Sequence, residues 1–384
     1  MFSNKDIEQF ANLETPFYYY DLNLLQRTLS DCAEAAKVYN FHVHYAMKAN
    51  FNTKVLQKIK LTGFGADCVS GGEVSKAIEI GFDKKQVVFA GVGKSDKEIN
   101  NALDQDIFCF NVESVQELAV INELAAVKGK IARVAIRINP NVDAHTHHNI
   151  TTGLDENKFG VNSWDLPACA ETLKVSEHIE FIGIHFHIGS QITNLDVYKN
   201  LCVRVNEFAL WFEERGFTVK LLNVGGGLGI DYHHPEQQIP DFAGYFKIFS
   251  DFLEVKPGQE VHFELGRALV GQCASLISKV LYVKNGKKKN FVVLDAGMTE
   301  LMRPALYQAY HKIENLTRGN KVALKYDIVG PICESTDCFG KEVEQPVTFR
   351  GDLYAIRSAG AYGEVMASKY NLRDEIRFVY SEDI

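Results

Sequence analysis

The stretch FHVHYAMKAN, residues 41–50, decides how the rest of the chain is read. Successive side chains of an extended strand point to opposite faces, so Val43, Tyr45 and Met47 share one face and His44, Ala46 and Lys48 the other. Lys48 thus falls at the C-terminal end of a strand, just before the turn residue Asn50. Two explanations are open for a lysine in that place. Its ammonium reaches water at a solvated strand end, as most lysines do. Alternatively it is a desolvated amine that condenses with an aldehyde, as Schiff-base lysines do. The second needs a pocket for the aldehyde, so the decision passes to what the other strands carry at their own C-terminal ends.

From this strand onward a rhythm of short apolar strand, turn and amphipathic helix sets in. Strand-like segments recur at 64–69, 86–90, 107–111, 132–138, 179–188, 219–224 and 261–265, which with the first makes eight. Helical spacing precedes the first strand at 24–37 and falls between the others at 72–80, 114–126, 195–214 and 242–253. Eight strands alternating with helices predict an α/β fold, a (β/α)8 TIM-like barrel. An open doubly wound sheet would gather its polar residues at one switch point, whereas here they stand at strand ends all round the set. From about residue 268 the rhythm changes. SLISKVLYVKNGKKKNFVVLDAG, residues 275–297, reads as two strands about an Asn-Gly turn, with Lys287, Lys288 and Lys289 as its solvated tip. Strand-like pieces at 326–329 and 345–357 extend this into a second, mainly β domain over 267–384. The aromatic segment TPFYYYD, residues 15–21, is expected to carry the N-terminal strand of 1–21 into that domain, leaving 22–266 for the barrel.

A length of 384 residues suits such a barrel with an appendage, and 46% hydrophobic with 23% charged residues is ordinary for a soluble globular chain. The net charge of −8 and pI near 5.9 argue against nucleic acid or an anionic membrane as partner. No apolar run approaches a membrane span, and the first residues contain no signal-peptide core. The eight cysteines are scattered without a CxxC, so neither a metal centre nor a disulfide framework is expected, and a reducing cytoplasm is the natural compartment.

Polar residues at the strand ends supply the constellation. Arg137 closes one strand, sharing a face with Arg133, Ala135 and Asn139; Asp67 closes another. A charge inside a barrel needs a partner or a ligand, so an Asp67–Arg137 ion pair and direct ligand contact are both open. In GIHFHIGSQ, residues 183–191, His185 and His187 face inward; His185 reads as a hydrogen-bonded core histidine. His187 leads into Gly-Ser, where an imidazole can stack on a flat ring while Ser190 offers a hydroxyl to an anion. NVGGGLG, residues 223–229, puts Gly225, Gly226 and Gly227 after the seventh strand, where barrels often bind phosphate through backbone N–H groups. In FELGR, residues 263–267, Glu264 shares an inward face with His262, and Leu265, Gly266 and Arg267 lead to the rim. A carboxylate there can keep a pyridine nitrogen protonated.

YAMKAN, HFHIGS, GGGLG and ELGR, in that order and spacing, resemble the pyridoxal-phosphate decarboxylases of the alanine-racemase-like barrel fold, a group that includes diaminopimelate, ornithine, arginine and carboxynorspermidine decarboxylases. The resemblance runs from about residue 15 to 363. INPNVDAHTH, the Thr152-Gly153…Lys158-Phe159-Gly160 pattern, MRPALY, CESTD and GAYG are most similar to the diaminopimelate branch. By that resemblance Lys48 would carry pyridoxal 5'-phosphate covalently, His187 would stack on its ring and Glu264 would hold its nitrogen. Ser190, Gly225, Gly226, Gly227, Gly266 and Tyr362 would hold the phosphate, with Asp67, Arg137, Leu265 and Arg267 also in the cofactor's surroundings. Arg267, Arg303, Tyr307, Glu334 and Tyr362 would bind substrate, Glu334 taking its distal ammonium, and Cys333 would be the proton donor. Read without the family, Cys333 is an inert cysteine.

The implied reaction is decarboxylation of meso-2,6-diaminopimelate to L-lysine and CO2, in a homodimer whose partner supplies the Cys333–Glu334 segment. Arg303 beside Glu334 favours a substrate with a second carboxylate. Another basic amino acid or polyamine-precursor decarboxylase of the same fold is the alternative. A non-catalytic homologue would have lost Lys48, the glycine loop or Cys333, and racemases of this barrel lack the CES…GAYG pattern. Two features depart from the family: Leu265 stands where proline is usual, and His147-His148-Asn149-Ile150 lacks the aromatic often found before the isoleucine.

Overall fold

The computed structural model describes residues 2–142, 158–319 and 322–384. The chain divides into two compact units, one of Leu29–Gly229 with Asp241–Leu269, the other of Met1–Thr28, Ile230–Pro240 and Val270–Ile384. The first strand, β1 (Phe17–Tyr20), belongs to the latter.

The larger unit is a closed parallel barrel of eight strands: β2 (His42–Ala46), β3 (Gly65–Cys68), β4 (Val87–Phe89), β5 (Cys109–Val112), β6 (Ala132–Arg137), β7 (Ile179–His185), β8 (Leu221–Asn223) and β9 (Glu260–Leu265). β9 returns to pair with β2, Glu264 opposite His44 and Leu265 opposite Tyr45. The expected barrel is therefore present, strand for strand. Three of the barrel helices start at serine caps. Ser70, Ser95 and Ser114 each accept from the N–H of a glutamate three residues on, the S-x-x-E signature of a helix N-terminus. The helix Phe242–Phe252 seats on β9 through Tyr245, Phe246 and Phe249, whose rings stand edge-on to Phe263 at 5.7, 4.8 and 4.9 Å. Each such pair adds about 0.5–1.5 kcal/mol beyond the buried area.

Two strand ends differ from expectation. β2 stops at Ala46, and Lys48 sits in a single 3-10 turn, Met47–Ala49, which lifts its side chain out of the strand plane at the mouth. β7 stops at His185, although the Phe186 N–H still reaches the Asn223 carbonyl at 2.8 Å, so His187 lies just beyond the ladder.

In the smaller unit, β10 (Ala274–Asn285) and β11 (Asn290–Leu294) form the expected hairpin, with Asn285 opposite Asn290. β12 (Ile313–Asn315), β13 (Ala323–Val329), β14 (Cys338–Pro346), β15 (Leu353–Ile356) and β16 (Arg377–Tyr380) complete it. The strand order is β12-β15-β10-β11-β13-β14, with β1 antiparallel to β10 and parallel to β16. The segment read as one strand at 345–357 is two. Pro346 ends β14, because it has no N–H to give the ladder, and Gly351 turns the chain at φ +89° before β15. Among the described residues no helix is long and apolar enough to cross a membrane.

Candidate active site

The C-terminal mouth of the barrel collects charge. Lys48 Nζ stands 3.1 Å from Asp67 Oδ2, the lysine one-third exposed and the aspartate fully buried. Burial, with the nearby Glu264, holds the Asp67 carboxyl above the usual range, and the Lys48 ammonium offsets only part of that rise. Glu264, also buried, is clamped from three sides. His185 Nε2 lies 2.9 Å from its Oε2, and the side-chain amides of Asn111 and Asn223 donate to Oε1 at 3.0 and 2.7 Å. Burial opposes the charged form of Glu264, but His185, through its hydrogen bond, and Lys48 outweigh it and hold the carboxyl well below the usual range. His185 is thus more than a core histidine: it is the group that fixes the carboxylate. Asp67 Oδ1, Asn111 Oδ1 and His185 Nδ1 are buried near it with no hydrogen-bond partner among the described residues.

Asp67 and Arg137 do not pair with each other. Arg137 reaches instead to Glu113, with Nη1 2.7 Å from Oε1, and Asp67 takes Lys48. Glu113 lies one residue beyond β5, and its carboxylate also accepts from the Gly91 and Gly160 N–H groups at 2.7 and 3.2 Å. Despite burial, Arg137 and Lys94 keep this carboxyl low. The Arg137 guanidinium lies 4.9 Å from the Phe159 ring centroid. Glu113, Asn111 and Asn223 were not singled out in the sequence. Their signal was available, since Asn111 and Glu113 alternate with Val112 on one face of a strand end, the pattern that drew attention to His185 and His187.

His187 is partly buried. Desolvation, with the cations Lys48 and Arg137, holds its imidazole well below the ordinary value, so the ring is neutral near pH 7. The Gly226 N–H approaches its Nδ1 at 3.4 Å, which favours the tautomer protonated on Nε2. The Gly225 N–H goes to Asn223 Oδ1 at 3.0 Å. The first role of the triple glycine is close packing. A Cβ on Gly225 would stand 2.1 Å from the Phe186 carbonyl, and one on Gly226 1.8 Å from that of Glu264. At the rim Arg267 Nη2 donates to Ser190 Oγ at 3.0 Å. Gly266 passes close over β2, where a Cβ would meet those of Ala49 and Ala46 at 3.0 and 3.1 Å. Leu265 alternates away from Glu264 and is fully buried.

The remaining residues belong to the smaller unit. Arg303 opens the helix Arg303–Tyr307 and is buried. Its Nη1 donates to the Tyr232 hydroxyl and to His311 Nε2, both at 2.9 Å. His311 Nδ1 meets the Arg357 carbonyl at 2.8 Å and must carry the proton there, leaving Nε2 free to accept from Arg303. Tyr307 is partly exposed. Cys333 and Glu334 are exposed, and Glu334 accepts from the Tyr370 hydroxyl at 2.8 Å. Arg303 and Glu334 are therefore engaged with different partners. Tyr362 is partly buried in the left-handed conformation, φ +57°. The segment His147-His148-Asn149-Ile150, with Thr152 and Gly153, lies outside the described residues.

A parallel barrel with an amine and a clamped carboxylate at its C-terminal mouth defines a class, the pyridoxal-dependent decarboxylases; residues 22–271 match the model of that family's pyridoxal binding domain. The chain is 58% identical to the diaminopimelate decarboxylase of Bacteroides thetaiotaomicron over 370 residues, 96% of each chain. It is 40% identical to that of Aquifex aeolicus, covering 96% of this chain and 87% of the relative. The solved diaminopimelate decarboxylase of Helicobacter pylori in complex with L-lysine superimposes with a TM-score of 0.93 at 38% identity, covering 99% of this chain and 94% of the other. The chain belongs to the diaminopimelate decarboxylase family, within the pyridoxal-dependent decarboxylases.

Proposed function

We propose that this protein converts meso-2,6-diaminopimelate to L-lysine and CO2 with pyridoxal 5'-phosphate bound at the barrel mouth through Lys48. The observation that carries the substrate assignment is the 58% identity spanning 96% of both this chain and a diaminopimelate decarboxylase.

The donor set at the mouth fits the cofactor. Glu264 has three of about four acceptor positions filled, leaving one for a protonated ring nitrogen. The buried orphan atoms Asp67 Oδ1 and His185 Nδ1 mark a polar surrounding that a bound ring with its own polar groups can meet, each unmet atom costing about 1–3 kcal/mol. Ser190, the Gly225–Gly227 turn, Gly266 and Tyr362 would hold the phosphate, Arg267 orienting the Ser190 hydroxyl. When bound, the cofactor supplies the electron sink for the pair left on the α-carbon as CO2 departs.

The chain's own side chains do the rest. Lys48 gives the amine, and Asp67 positions it. Glu264, ionised through neutral pH, would keep a proton on the ring nitrogen of the cofactor. The neutral His187 ring would stack on the cofactor and exclude water. Arg303, fixed by Tyr232 and His311, grips the distal carboxylate of the substrate together with Tyr307, and Glu334 takes its distal ammonium. The Cys333 thiol returns a proton to the α-carbon. Cys333 and Glu334 act from the partner subunit of a homodimer in the cytoplasm.

A CO2-release assay with meso-diaminopimelate, L-lysine and L-ornithine tests this reading. Only the first offers a second carboxylate, and breaking a buried charge pair costs about 3–5 kcal/mol, so the other two are expected to react hundreds of times more slowly. Arg303→Met should raise KM for diaminopimelate and narrow that gap. Equal rates on lysine or ornithine would replace this assignment with another basic amino acid decarboxylase.

A further inference from the structure

The N-terminal mouth of the barrel, at the other end from Lys48, carries a second polar cluster that the decarboxylation does not use. β2 and β9 begin there side by side, with His42 the register partner of His262 and their rings stacked at 4.7 Å. Glu260 precedes His262 by two residues on the same face of β9, and its Oε2 lies 3.2 Å from His262 Nε2. One ligand atom from each of His42, Glu260 and His262 lies within 4.8 Å of the other two. A cavity of about 530 Å3 opens beside them.

A chain of hydrogen bonds holds the rings in place. The Gln86 carbonyl can only accept, so His44 Nδ1, 3.0 Å away, carries a proton. His44 Nε2 stands 2.7 Å from His262 Nδ1, so the other ring nitrogen of His262, Nε2, is the atom turned toward the Glu260 carboxylate.

We propose that His42, Glu260 and His262 form a binding site for one divalent transition-metal ion, zinc foremost, with His44 as a positioning residue that aims His262 at it. Two imidazoles and a carboxylate are a zinc ligand set with a fourth position open to water from the cavity. The His262–His44–Gln86 relay is the outer-shell support that metal-binding histidines need, fixing the ring angle. Bonds of about 2.0–2.2 Å set the donors of a tetrahedral ion about 3.4 Å apart, so the ligands close in by roughly an ångström. Glu260, whose side chain is 55% exposed, and the partly exposed His42 have that freedom. Lys37 and Lys85 also line the cavity, but both are exposed and water screens their charge. A search for cysteine pairs passes over this site, because barrel closure alone brings His42 to His262.

The test is titration of chelator-treated holoenzyme with cobalt(II), read by the visible ligand-field bands of a tetrahedral ion, followed by displacement with zinc. One cobalt per chain, lost to one zinc, is expected. His42→Ala and Glu260→Gln change exposed or partly exposed side chains, so circular dichroism should stay native and CO2 release unaffected, while cobalt affinity falls at least tenfold in each. No tetrahedral spectrum, or wild-type affinity in both variants, would overturn the site. A metal-free protein that binds no cobalt and shows His262 protonated on both nitrogens by imidazole 15N NMR would assign the cluster to a proton instead.

Discussion

Glu264 accepts three side-chain hydrogen bonds inside the barrel, and its charge should be measurable in two ways. Glu264→Gln keeps the shape but cannot hold a proton on the ring nitrogen. It should retain cofactor by absorbance and lose about a hundredfold or more in kcat. The second readout is stability against pH. An unfolded glutamate titrates near about 4.3, and in the fold this carboxyl sits lower, so the unfolded chain binds the proton first on acidification. Its contribution is fully present above that value and is lost as pH falls through the folded one. The difference in urea-unfolding free energy between wild type and Glu264→Gln should be flat above about pH 5 and shrink below about pH 4. A gap that widens on acidification would mean that the carboxyl is protonated in the fold. Glu264 and Lys48 were legible in the sequence because each stands at the end of an alternating strand. The partners were less so. His185 looked like core packing because nothing in one strand shows that its ring meets a glutamate 79 residues on. For Asp67 and Arg137 a mutual ion pair and ligand contact both stood open, and the buried Glu113 is the acid within reach of Arg137.

At the scale of the element, the turn after β8 is set by contact between backbones. Gly226→Ala would drive a Cβ to 1.8 Å from the Glu264 carbonyl, which only a shift of β9 relieves. Overpacking of this kind typically costs about 1–3 kcal/mol, and the shift would also displace the Glu264 carboxylate. Thermal melting should show the loss, with weaker retention of pyridoxal phosphate on dialysis. Gly72→Ala is the control: its Cβ meets nothing closer than the Ser70 hydroxyl at 3.6 Å, and alanine favours the helix. Equal melting temperatures for the two variants would sink the argument. Strands and helices of the barrel were readable because short apolar runs alternate with amphipathic helices, three of which start at a serine cap. The smaller unit was read less completely. β16, RFVY, carries a charge and is largely exposed, so it lacks the alternation that marks a half-buried strand; its place comes from parallel pairing with β1, 360 positions away in register. The N-terminal helix Asn4–Ala11 did leave a signal, the Ser3–Asp6 capping box, in a segment read only for targeting.

At the scale of the whole molecule, the exposure of Cys333 and Glu334 bears on the proposed homodimer. A thiol that protonates a carbanion and a carboxylate that selects an ammonium both work best away from bulk water, yet in the single chain both side chains face solvent. A symmetric dimer in which each copy lends this segment to the other resolves the conflict, and complementation can decide it. Lys48→Ala and Cys333→Ala should each be nearly inactive alone. If every site combines Lys48 of one subunit with Cys333 of its partner, a mixed dimer has one site carrying both changes and one carrying neither. Statistical reassortment makes about half of the dimers mixed, so the mixture should recover about a quarter of wild-type CO2 release. Unfolding and refolding the two variants together, with each alone as control, supplies the measurement. No recovery, in a mixture shown by mass spectrometry to contain mixed dimers, would place Lys48 and Cys333 in the same chain's site and remove the partner from the reaction.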